Sequence, residues 1–322
     1  MWKMAAIGNP KYDKMLRIIF IIAYFGKFRA DFAFWLKSVE HNPDVDFLLF
    51  TDQTLIEVPK NVTVVKTSLQ EIQQLAQKNI WEGCRIEHPY KMCDYKTAYG
   101  DLFRDYIKDY DFWGHCDVDL VFGNIRHYIT DEILEKYDRI GLEGFFTLFR
   151  NSPEINRHYW NLGEEFIKHA FSDQGIFGLD EWGPGGKGGG TSNWWLENKR
   201  KRLWCDMVFD SLEPYYYDFI TKRADRDNVK NVIFCYNNGK LTRYGLQNGK
   251  VIATETLLAH IQKRMVKVKT LPTERFSIIP QGDYVDYIYN VTPCLLHYIE
   301  YKGRIITFFN KIRNKIKKTA HL

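Results

Sequence analysis

The chain opens with a repeated alternation of strand-like and helix-like segments, a pattern that few folds accommodate. Residues 17–24 are a run of β-branched and aromatic residues that ends before a glycine, which is typical of a buried strand closing in a turn. Residues 28–39 carry apolar side chains at helical spacing. Asn42-Pro43 ends this stripe before a second apolar run at residues 45–50. The chain therefore begins as a β-α-β unit.

The alternation continues further along the chain. Residues 62–65 form a short third strand, and Ser68 with Glu71 is a capping box that starts a helix. A long helix from Pro89 leads into an apolar run at residues 111–116, which is typical of a buried strand. Repeated β-α-β units predict an α/β fold with a largely parallel sheet, in which ligands bind beyond the carboxyl ends of the strands.

The composition is globular and excludes several classes of protein. The 322 residues are 45% hydrophobic and 26% charged, which excludes a disordered or fibrous chain. The apolar run at residues 18–25 is far shorter than the roughly 20 residues that cross a bilayer. The first residues lack the pattern of a signal peptide, and the six cysteines form no C-x-x-C pair, as expected of reduced thiols. We therefore expect a cytoplasmic protein.

Basic charge is concentrated at the C-terminus. Residues 302–318 contain seven Lys or Arg and no acid, whereas the rest of the chain has 38 basic and 40 acidic residues. Apolar residues are interleaved at helical spacing, which is typical of a helix on an anionic membrane surface. The alternative is a helix that packs its apolar face on the body of the protein. We expect no nucleic-acid partner, because the body is not basic.

Two carboxylates one residue apart follow the buried strand at residues 111–116. Asp117 and Asp119 can point the same way where that strand ends and share a divalent cation. Mg²⁺ and Mn²⁺ prefer oxygen ligands, and a phosphate-bearing substrate can fill the remaining positions. The D-x-D triplets at residues 44–46 and 225–227 do not follow a buried strand, so we interpret them as solvated turns.

A D-x-D motif after a central strand resembles the metal site of nucleotide-sugar glycosyltransferases with the GT-A fold. The resemblance covers roughly residues 15–270. Four stretches are similar to a bacterial family found among capsular and O-antigen polysaccharide biosynthesis proteins: H-P-Y-K-M-C-D-Y-K-T-A-Y-G-D-L-F, D-Y-D-F-W-G-H-C-D-V-D-L-V-F-G-N-I-R, T-L-F-R-N-S-P-E-I-N and A-H-I-Q-K-R-M. The resemblance implies a mixed α/β sheet with flanking helices, and sugar transfer from a nucleoside-diphosphate donor.

The GT-A resemblance implies further site residues. His260 is the candidate for a late histidine that completes the metal site; the alternative is a structural histidine. Lys263 follows it as in the H-x-x-G-x-x-K element of family 8 retaining transferases, with different spacing, where the lysine binds pyrophosphate. The implied glycine turn and acceptor-facing acidic pair have candidates in Gly144 and Asp180-Glu181. Neutral imidazole is a good Mn²⁺ ligand, and a lysine can neutralise charge on the departing diphosphate.

The remaining candidates lie at the same edge of the predicted sheet. Tyr24 or Phe25, after the first strand, can stack on a nucleobase, and Asp52, after the second, can accept hydrogen bonds from the ribose or base. Lys91, Asp94 and Lys96 lie near the start of the long helix, where cations and amide dipoles can face the donor. Each of these charges is equally compatible with a solvated surface position.

We therefore expect a metal-dependent glycosyltransferase that uses Mn²⁺ or Mg²⁺ and a nucleotide sugar, UDP-linked by preference. Its acceptor would be a lipid-linked saccharide at the inner face of the cytoplasmic membrane. Residues 1–14 would be an N-terminal extension, residues 15–300 the GT-A domain and residues 301–322 a basic tail. The domain would divide into a nucleotide-binding half, residues 15–125, and an acceptor half, residues 126–300. Asp180 or Glu181 would act as a base in an inverting enzyme or contact the acceptor in a retaining one.

Two rival functions fit part of the sequence. A sugar nucleotidyltransferase also binds metal and nucleotide, but no glycine- and lysine-rich triphosphate loop is evident near the N-terminus. A non-catalytic carbohydrate-binding or membrane scaffold protein is supported by the 51 aromatic residues and the basic tail. Glycine-rich residues 183–190 would be a mobile active-site loop or a passive connection.

Overall fold

The computed structural model describes residues 15–198, 202–206, 208–212, 221–262, 266–280 and 283–319. The strands are β1 Ile18–Ala23, β2 Val45–Thr51, β3 Val62–Lys66, β4 Phe112–Cys116, β5 Leu120–Phe122, β6 Arg139–Glu143, β7 Phe146–Arg150, β8 Leu203–Trp204, β9 Asp210–Ser211, β10 Lys230–Asn237, β11 Lys240–Gln247, β12 Lys250–Glu255, β13 Leu258–His260, β14 Arg275–Ile279 and β15 Asp283–Val285. The α-helices are α1 Phe32–Glu40, α2 Leu69–Asn79, α3 Met92–Tyr95, α4 Tyr99–Leu102, α5 Ile125–Tyr128, α6 Asp131–Lys136, α7 Pro153–Asn156, α8 Glu164–Ser172, α9 Thr191–Glu197, α10 Lys222–Arg226 and α11 Pro293–Thr319. Short 3-10 turns lie at Pro89–Lys91, Lys96–Ala98, His158–Leu162 and Pro184–Gly186.

A seven-stranded mixed sheet of order β3-β2-β1-β4-β7-β6-β8 forms the centre of the molecule. Strands β3, β2, β1 and β4 are parallel, as β-α-β connections require, whereas β7 is antiparallel to both β4 and β6. The predicted α/β class, a mixed sheet with flanking helices, is confirmed. The sheet takes strands from both predicted halves, residues 15–125 and 126–300, so that division remains a prediction about function. Residues 1–14 lie outside the described residues.

Helices on both faces of this sheet explain why its central strands are continuous apolar runs. Consecutive side chains of β1 enter different cores: Ile19 and Ile21 pack with Leu48 and Trp113 on one face. Ile18, Phe20 and Ile22 pack on the other face with side chains of β2 and β4. A strand that is buried on both faces shows no alternation of polar and apolar residues.

Two smaller sheets follow in the second half of the chain. A five-stranded antiparallel sheet has the order β12-β11-β10-β14-β15, and a three-stranded sheet has the order β5-β13-β9. The three-stranded sheet joins the segment after the D-x-D motif to strands formed more than eighty residues later in the chain. It is therefore the element that brings distant site residues together.

Helix α11 packs against the five-stranded sheet by one face near its start. Leu296 is buried there, and Ile299 packs in the same cluster with Ile233 of β10 and Leu246 of β11. The opposite face carries exposed apolar side chains at a spacing of three and four residues: Tyr298, Tyr301, Ile305, Phe308 and the adjacent Phe309. The alternative of an apolar face packed on the body thus describes the start of α11 at Leu296 and Ile299, but not Ile305, Phe308 and Phe309, which are exposed. Among the described residues, no helix combines the length and apolar content needed to span a bilayer.

Two local predictions differ from the structure. The helix expected from residue 28 begins at Phe32, because residues 28–31 form a loop that carries the ion pair between Arg29 and Asp31. The long helix expected from Pro89 is a succession of short α and 3-10 turns. At these turns the backbone N–H groups of Lys91 and Tyr99 bond to carbonyls three residues earlier. Apolar spacing of three and four residues does not distinguish these turns from a continuous α-helix.

Candidate functional site

Asp117, Asp119 and His260 form a cluster at the carboxyl end of β4. One ligand atom of each residue lies within 4.8 Å of the others. His260 Nε2 is 3.3 Å from Asp119 Oδ1. Two carboxylate oxygens and an imidazole nitrogen are a donor set that suits Mn²⁺ and is compatible with Mg²⁺. The predicted metal residues are thus brought together, and their chemistry fits a divalent cation.

The register of the three-stranded sheet explains this proximity. β13 pairs antiparallel with β5, which places His260 opposite Leu120, the residue after the D-x-D motif. The N–H of Ile261 donates to the carbonyl oxygen of Asp119 at 2.9 Å, which extends the pairing by one step. His260 therefore lies beside the motif although 141 residues separate it from Asp119 along the chain.

His260 is held from its other side by Ser211. The Ser211 hydroxyl oxygen is 3.1 Å from His260 Nδ1, and β9 pairs in parallel with β13 so that the two residues face each other. His260 is almost fully buried. With a proton on Nδ1 donated to Ser211, Nε2 has its lone pair available on the side of the two carboxylates. The sequence analysis does not identify Ser211, because no sequence pattern distinguishes a functional serine in a two-residue strand.

Asp119 carries a second contact, to Arg29. Arg29 Nη1 is 3.3 Å from Asp119 Oδ2, and the guanidinium binds the buried carboxylate of Asp31 through Nε and Nη2, both at 3.0 Å. Burial raises the pKa of Asp119, but His260 and Arg29 outweigh burial and lower that pKa below its usual value. Arg29 is also missed from the sequence, although its loop follows β1 at the sheet edge where the site was expected.

Asp117 is held by Lys96 on the opposite side of the cluster. Lys96 Nζ donates to Asp117 Oδ1 at 2.6 Å and to the Gly144 carbonyl oxygen at 2.9 Å, and lies 3.7 Å from Asp180 Oδ2. Burial alone would lower the pKa of Lys96, but the surrounding acids, Asp117 first among them, raise it well above its usual value. Lys96 therefore connects the candidate metal ligand Asp117 to the candidate catalytic residue Asp180.

Gly144 allows the acidic pair, Asp180 and Glu181, to lie close to Lys96 and Asp117. A Cβ at residue 144 would collide with Asp180 Oδ2 and the Glu181 side chain, so a larger residue would displace both. The Gly144 N–H donates to Glu181 Oε1 at 2.9 Å. Burial raises the pKa of Asp180 to about 7, and Glu181 and Asp117 add to this rise while Lys96 opposes it. The structure places both candidate catalytic residues next to the cluster.

A cavity of about 350 Å³ opens beside the cluster, between the carboxyl ends of β1 and β4 and the turns at residues 89–99. Its lining includes Asp117, Asp119, Arg29, Lys96, Tyr24, Phe25, Tyr90, Met92, Cys93 and Tyr99. The Tyr24 ring stacks on Phe28 with centroids 4.7 Å apart, whereas Phe25 is largely buried. The two aromatic candidates thus border the cavity, with Tyr24 the more exposed of the two.

Other sequence candidates lie apart from the cavity lining. Asp52 is exposed, and its Oδ1 accepts hydrogen bonds from Gln53 Nε2 and the Gly26 N–H, both at 2.9 Å. These two bonds lower the pKa of Asp52. Asp52 therefore caps the turn after β1, and its contact with a ribose or base remains a prediction. Lys263 lies outside the described residues.

Lys91 and Asp94 form a fully buried ion pair rather than the solvated charges considered as an alternative. Lys91 Nζ donates to Asp94 Oδ2 at 2.9 Å and to the carbonyl oxygens of Ala170 and Gly175 at 2.7 and 2.6 Å. Asp94 also accepts from the backbone N–H of Phe177. These bonds fasten the segment after α8 onto α3, and a donor-binding role for the pair remains a prediction.

The glycine-rich loop is folded back on itself beside the acidic pair. The Gly188 N–H donates to the Trp182 carbonyl, and the Gly183 N–H donates to the Gly178 carbonyl, both at 2.9 Å. Gly183 has a φ of +79°, and a side chain there would collide with the backbone of Gly188 and Gly190. The loop requires glycine for this close packing.

Two solved structures of glycosyltransferases are similar to this chain at low identity. One is the glycosyltransferase GlyE of Streptococcus pneumoniae TIGR4, with 10% identity and a TM-score of 0.31 over 59% of this chain and 45% of GlyE. The other is the galactosyltransferase LgtC in complex with donor and acceptor sugar analogs, with 9% identity and a TM-score of 0.36 over 76% of this chain and 86% of LgtC. The chain thus spans less than half the length of GlyE.

No curated protein matches the sequence significantly. A family described as a family of unknown function, DUF6625, matches residues 20–286. This range covers the Asp117, Asp119 and His260 cluster and all of the mixed sheet except the first two residues of β1. Because the match extends over well more than half of the chain, the protein belongs to the DUF6625 family.

Proposed function

We propose that this protein is a metal-dependent glycosyltransferase that moves a sugar from a nucleoside-diphosphate donor, UDP-linked by preference, to a saccharide acceptor. The observation that carries the proposal is the cluster of Asp117, Asp119 and His260, whose two carboxylates line a cavity at the carboxyl ends of β1 and β4. Open α/β sheets bind their ligands in this position. The acceptor would be a lipid-linked saccharide of surface polysaccharide biosynthesis. The resemblance to capsular and O-antigen proteins supports the pathway, and the basic C-terminal tail fits a lipid-linked acceptor.

The side chains have distinct roles in this proposal. Asp117, Asp119 and His260 would hold Mn²⁺ or Mg²⁺, which supplies Lewis-acid stabilisation of the diphosphate leaving group when bound. Tyr24 would border the nucleobase, and Lys96 would hold Asp117 while facing Asp180. Asp180 or Glu181 would remove the acceptor proton in an inverting enzyme or contact the acceptor in a retaining one. The anomeric configuration of the product, determined by NMR, distinguishes these two courses.

Titration calorimetry with UDP, GDP, CDP and dTDP, each with and without Mn²⁺, tests this proposal. We expect one nucleotide to bind only with Mn²⁺, and Asp119→Asn to weaken that binding by at least tenfold because the variant loses a charged ligand. Asp44→Asn is the matched control, since Asp44 is exposed and belongs to a D-x-D triplet away from the site. If the wild type binds none of the four nucleotides, the proposal is wrong and a carbohydrate-binding or scaffold function gains support.

We further propose that α11 contacts the cytoplasmic face of an anionic membrane, where a lipid-linked acceptor would lie. Its exposed stripe contains Tyr301, Ile305 and Phe308, and exposed Lys302 and Arg304 flank the stripe on either side. The sequence adds five further basic residues between 311 and 318. Apolar burial combined with attraction to anionic lipids is the basis of such interfacial binding.

Vesicle flotation tests the membrane proposal. The full-length protein should float with phosphatidylglycerol-containing vesicles and remain behind with phosphatidylcholine alone. Tyr301→Ser combined with Phe308→Ser should abolish flotation, whereas Ile56→Ser, which alters an exposed apolar residue 95% accessible outside α11, should have no effect. Equal flotation of the wild type and the double variant would refute a role for the stripe.

A further inference from the structure

Arg29 occupies a position in the site that no motif assigns to it. It lines the cavity beside Asp117 and Asp119, and its side chain is 25% exposed, in contrast to the almost inaccessible Asp31 that holds it. Two parallel hydrogen bonds to Asp31, each 3.0 Å long, fix the plane of the guanidinium. A fork-to-fork contact of this kind orients the remaining N–H groups as well as holding the side chain.

Two N–H donors of the guanidinium find no acceptor in the part of the chain that the structure describes. Among the described residues, its hydrogen bonds are two to Asp31 and one from Nη1 to Asp119 Oδ2 at 3.3 Å. Arginine has five N–H donors, so one donor on each terminal nitrogen is left. Lys96, the other cation in the described lining of the cavity, has its ammonium bound to Asp117, the Gly144 carbonyl and Asp180. Of these two described lining cations, Arg29 is therefore the one with N–H groups that no described acceptor binds.

A cation with free N–H groups beside the cavity would favour the binding of a diphosphate. Asp117, Asp119 and Asp31 are acidic and close together, and a diphosphate would bring further negative charge to the same space. The remaining terminal N–H groups of Arg29 lie beside the carboxylates. They can contact a phosphate oxygen that binds the same divalent cation as Asp119. Arginine is well suited to this task because it stays charged and binds phosphate oxygens through two parallel bonds.

We propose that Arg29 binds the diphosphate of the nucleotide donor, with Asp31 as the residue that positions it. The inference rests on the proposed function and assigns a diphosphate contact to a side chain outside the D-x-D motif and outside the predicted Lys263. Arg29 and a divalent cation held by the cluster would then both contact the Asp119 carboxylate and both contact the same diphosphate.

The alternative is that Arg29 only supports Asp119. A support would weaken binding of Mn²⁺ alone, and the affinity for the diphosphate would return to the wild-type value once Mn²⁺ is saturating. A diphosphate contact would weaken binding of the diphosphate even at saturating Mn²⁺ and leave binding of the nucleoside unchanged. The two roles are therefore separated by ligand chemistry rather than by loss of activity.

Calorimetry at saturating Mn²⁺ separates these roles, using the nucleoside diphosphate that the wild type binds most tightly among UDP, GDP, CDP and dTDP, its parent nucleoside, and Mn²⁺ alone. We expect Arg29→Gln to weaken the diphosphate by about 10- to 100-fold, with the nucleoside within twofold of wild type. The diphosphate affinity of Arg29→Lys should lie between those of wild type and Arg29→Gln, because lysine keeps the charge but loses the two parallel hydrogen bonds to Asp31. Lys27→Gln, an exposed cation of the same loop outside the lining, is the matched control.

Each outcome has a defined meaning. Unchanged diphosphate affinity in Arg29→Gln, or an equal loss for diphosphate and nucleoside, would overturn the assignment of Arg29 while leaving the proposed function intact. A wild type that binds none of the four nucleotides with Mn²⁺ would overturn the proposed function and the inference together. A circular-dichroism spectrum and thermal melt of Arg29→Gln that match wild type establish that the variant is folded.

Discussion

Each candidate metal ligand has a second contact that orients it. The pairs are Asp117 with Lys96, Asp119 with Arg29 and His260 with Ser211. Partners of this kind determine which ligand atom faces the ion and commonly change metal affinity by 10- to 100-fold when removed. At the residue scale, the site therefore consists of six side chains rather than three.

Ser211→Ala tests the contact to His260. Without the hydroxyl, Nδ1 loses its partner and the ring is no longer held with Nε2 toward the carboxylates, so we expect Mn²⁺ to bind about 10-fold more weakly. Mn²⁺ affinity is measured by electron paramagnetic resonance of the free ion, which requires no activity assay. Ser211→Thr keeps the hydroxyl and should restore binding, and a Ser211→Ala protein with wild-type Mn²⁺ affinity would rule out this role.

Asp180 predicts a dependence of stability on pH. Its pKa in the folded protein is about 7, above the ordinary value of 3.8, so between these values the folded state binds the proton more tightly than the unfolded state. Stability contributed by this group is therefore lost as the pH rises through that range. In Asp180→Asn this loss is absent, and the stability of the variant relative to wild type should increase by about 2 kcal/mol between pH 5 and pH 7 and then level off.

Chemical denaturation at several pH values, without added metal, checks this prediction. Asp52→Asn is a suitable comparison, because the pKa of Asp52 is shifted in the opposite direction, below its ordinary value. A pH-independent difference between wild type and Asp180→Asn from pH 5 to pH 8 would mean that Asp180 is ionised throughout and that its burial does not control its protonation.

At the scale of elements, the buried pair of Lys91 and Asp94 fastens the segment between α8 and the acidic pair. Both side chains are inaccessible to solvent, and their bonds join α3 to carbonyls and amides at residues 170–179. Residue 179 immediately precedes Asp180. The pair thus supports the candidate catalytic residues from behind, through the backbone that carries them.

Replacing one member of this pair should lower the stability of the folded protein. We expect Asp94→Ala to lower the free energy of unfolding by about 3–5 kcal/mol, because Lys91 is left as an uncompensated buried charge. Replacing both residues, as in Lys91→Met with Asp94→Leu, should cost less than the single change. Urea denaturation measures both. A stable Asp94→Ala protein that no longer binds nucleotide would instead support the donor-binding role predicted from the sequence.

At the scale of the whole molecule, the features that could be predicted from the sequence are those determined by residues close together in the chain. The strands β1, β2 and β4 are recognisable because burial on both faces makes them continuous apolar runs, and the capping box of Ser68 and Glu71 is confirmed with both of its hydrogen bonds. Asp117 and Asp119 could be placed because the rule for ligand positions follows from the strand before them.

Contacts between distant segments were beyond the same reasoning. Arg29 meets Asp119 across 90 residues, and Ser211 meets His260 across 49. The local sequence of neither residue indicates its partner. The register of β9 and β13 creates the Ser211 contact, and the pairing of β1 with β4 brings the loop of Arg29 beside Asp119. Lys91 is a further example. Its place near the start of the predicted long helix suggested contact with the nucleotide-sugar donor, whereas its side chain is bound to Asp94 in the interior.

The proposed function requires that Asp117, Asp119 and His260 hold a divalent cation beside the cavity at the carboxyl ends of β1 and β4. The most direct measurement is an anomalous difference map of crystals grown with Mn²⁺ and the nucleotide selected by calorimetry, with Asp119→Asn crystals as the control. We expect one peak about 2 Å from an oxygen of each carboxylate and from His260 Nε2, and its loss or marked weakening in the variant. A peak held by other side chains, or no peak at saturating Mn²⁺, would contradict this expectation.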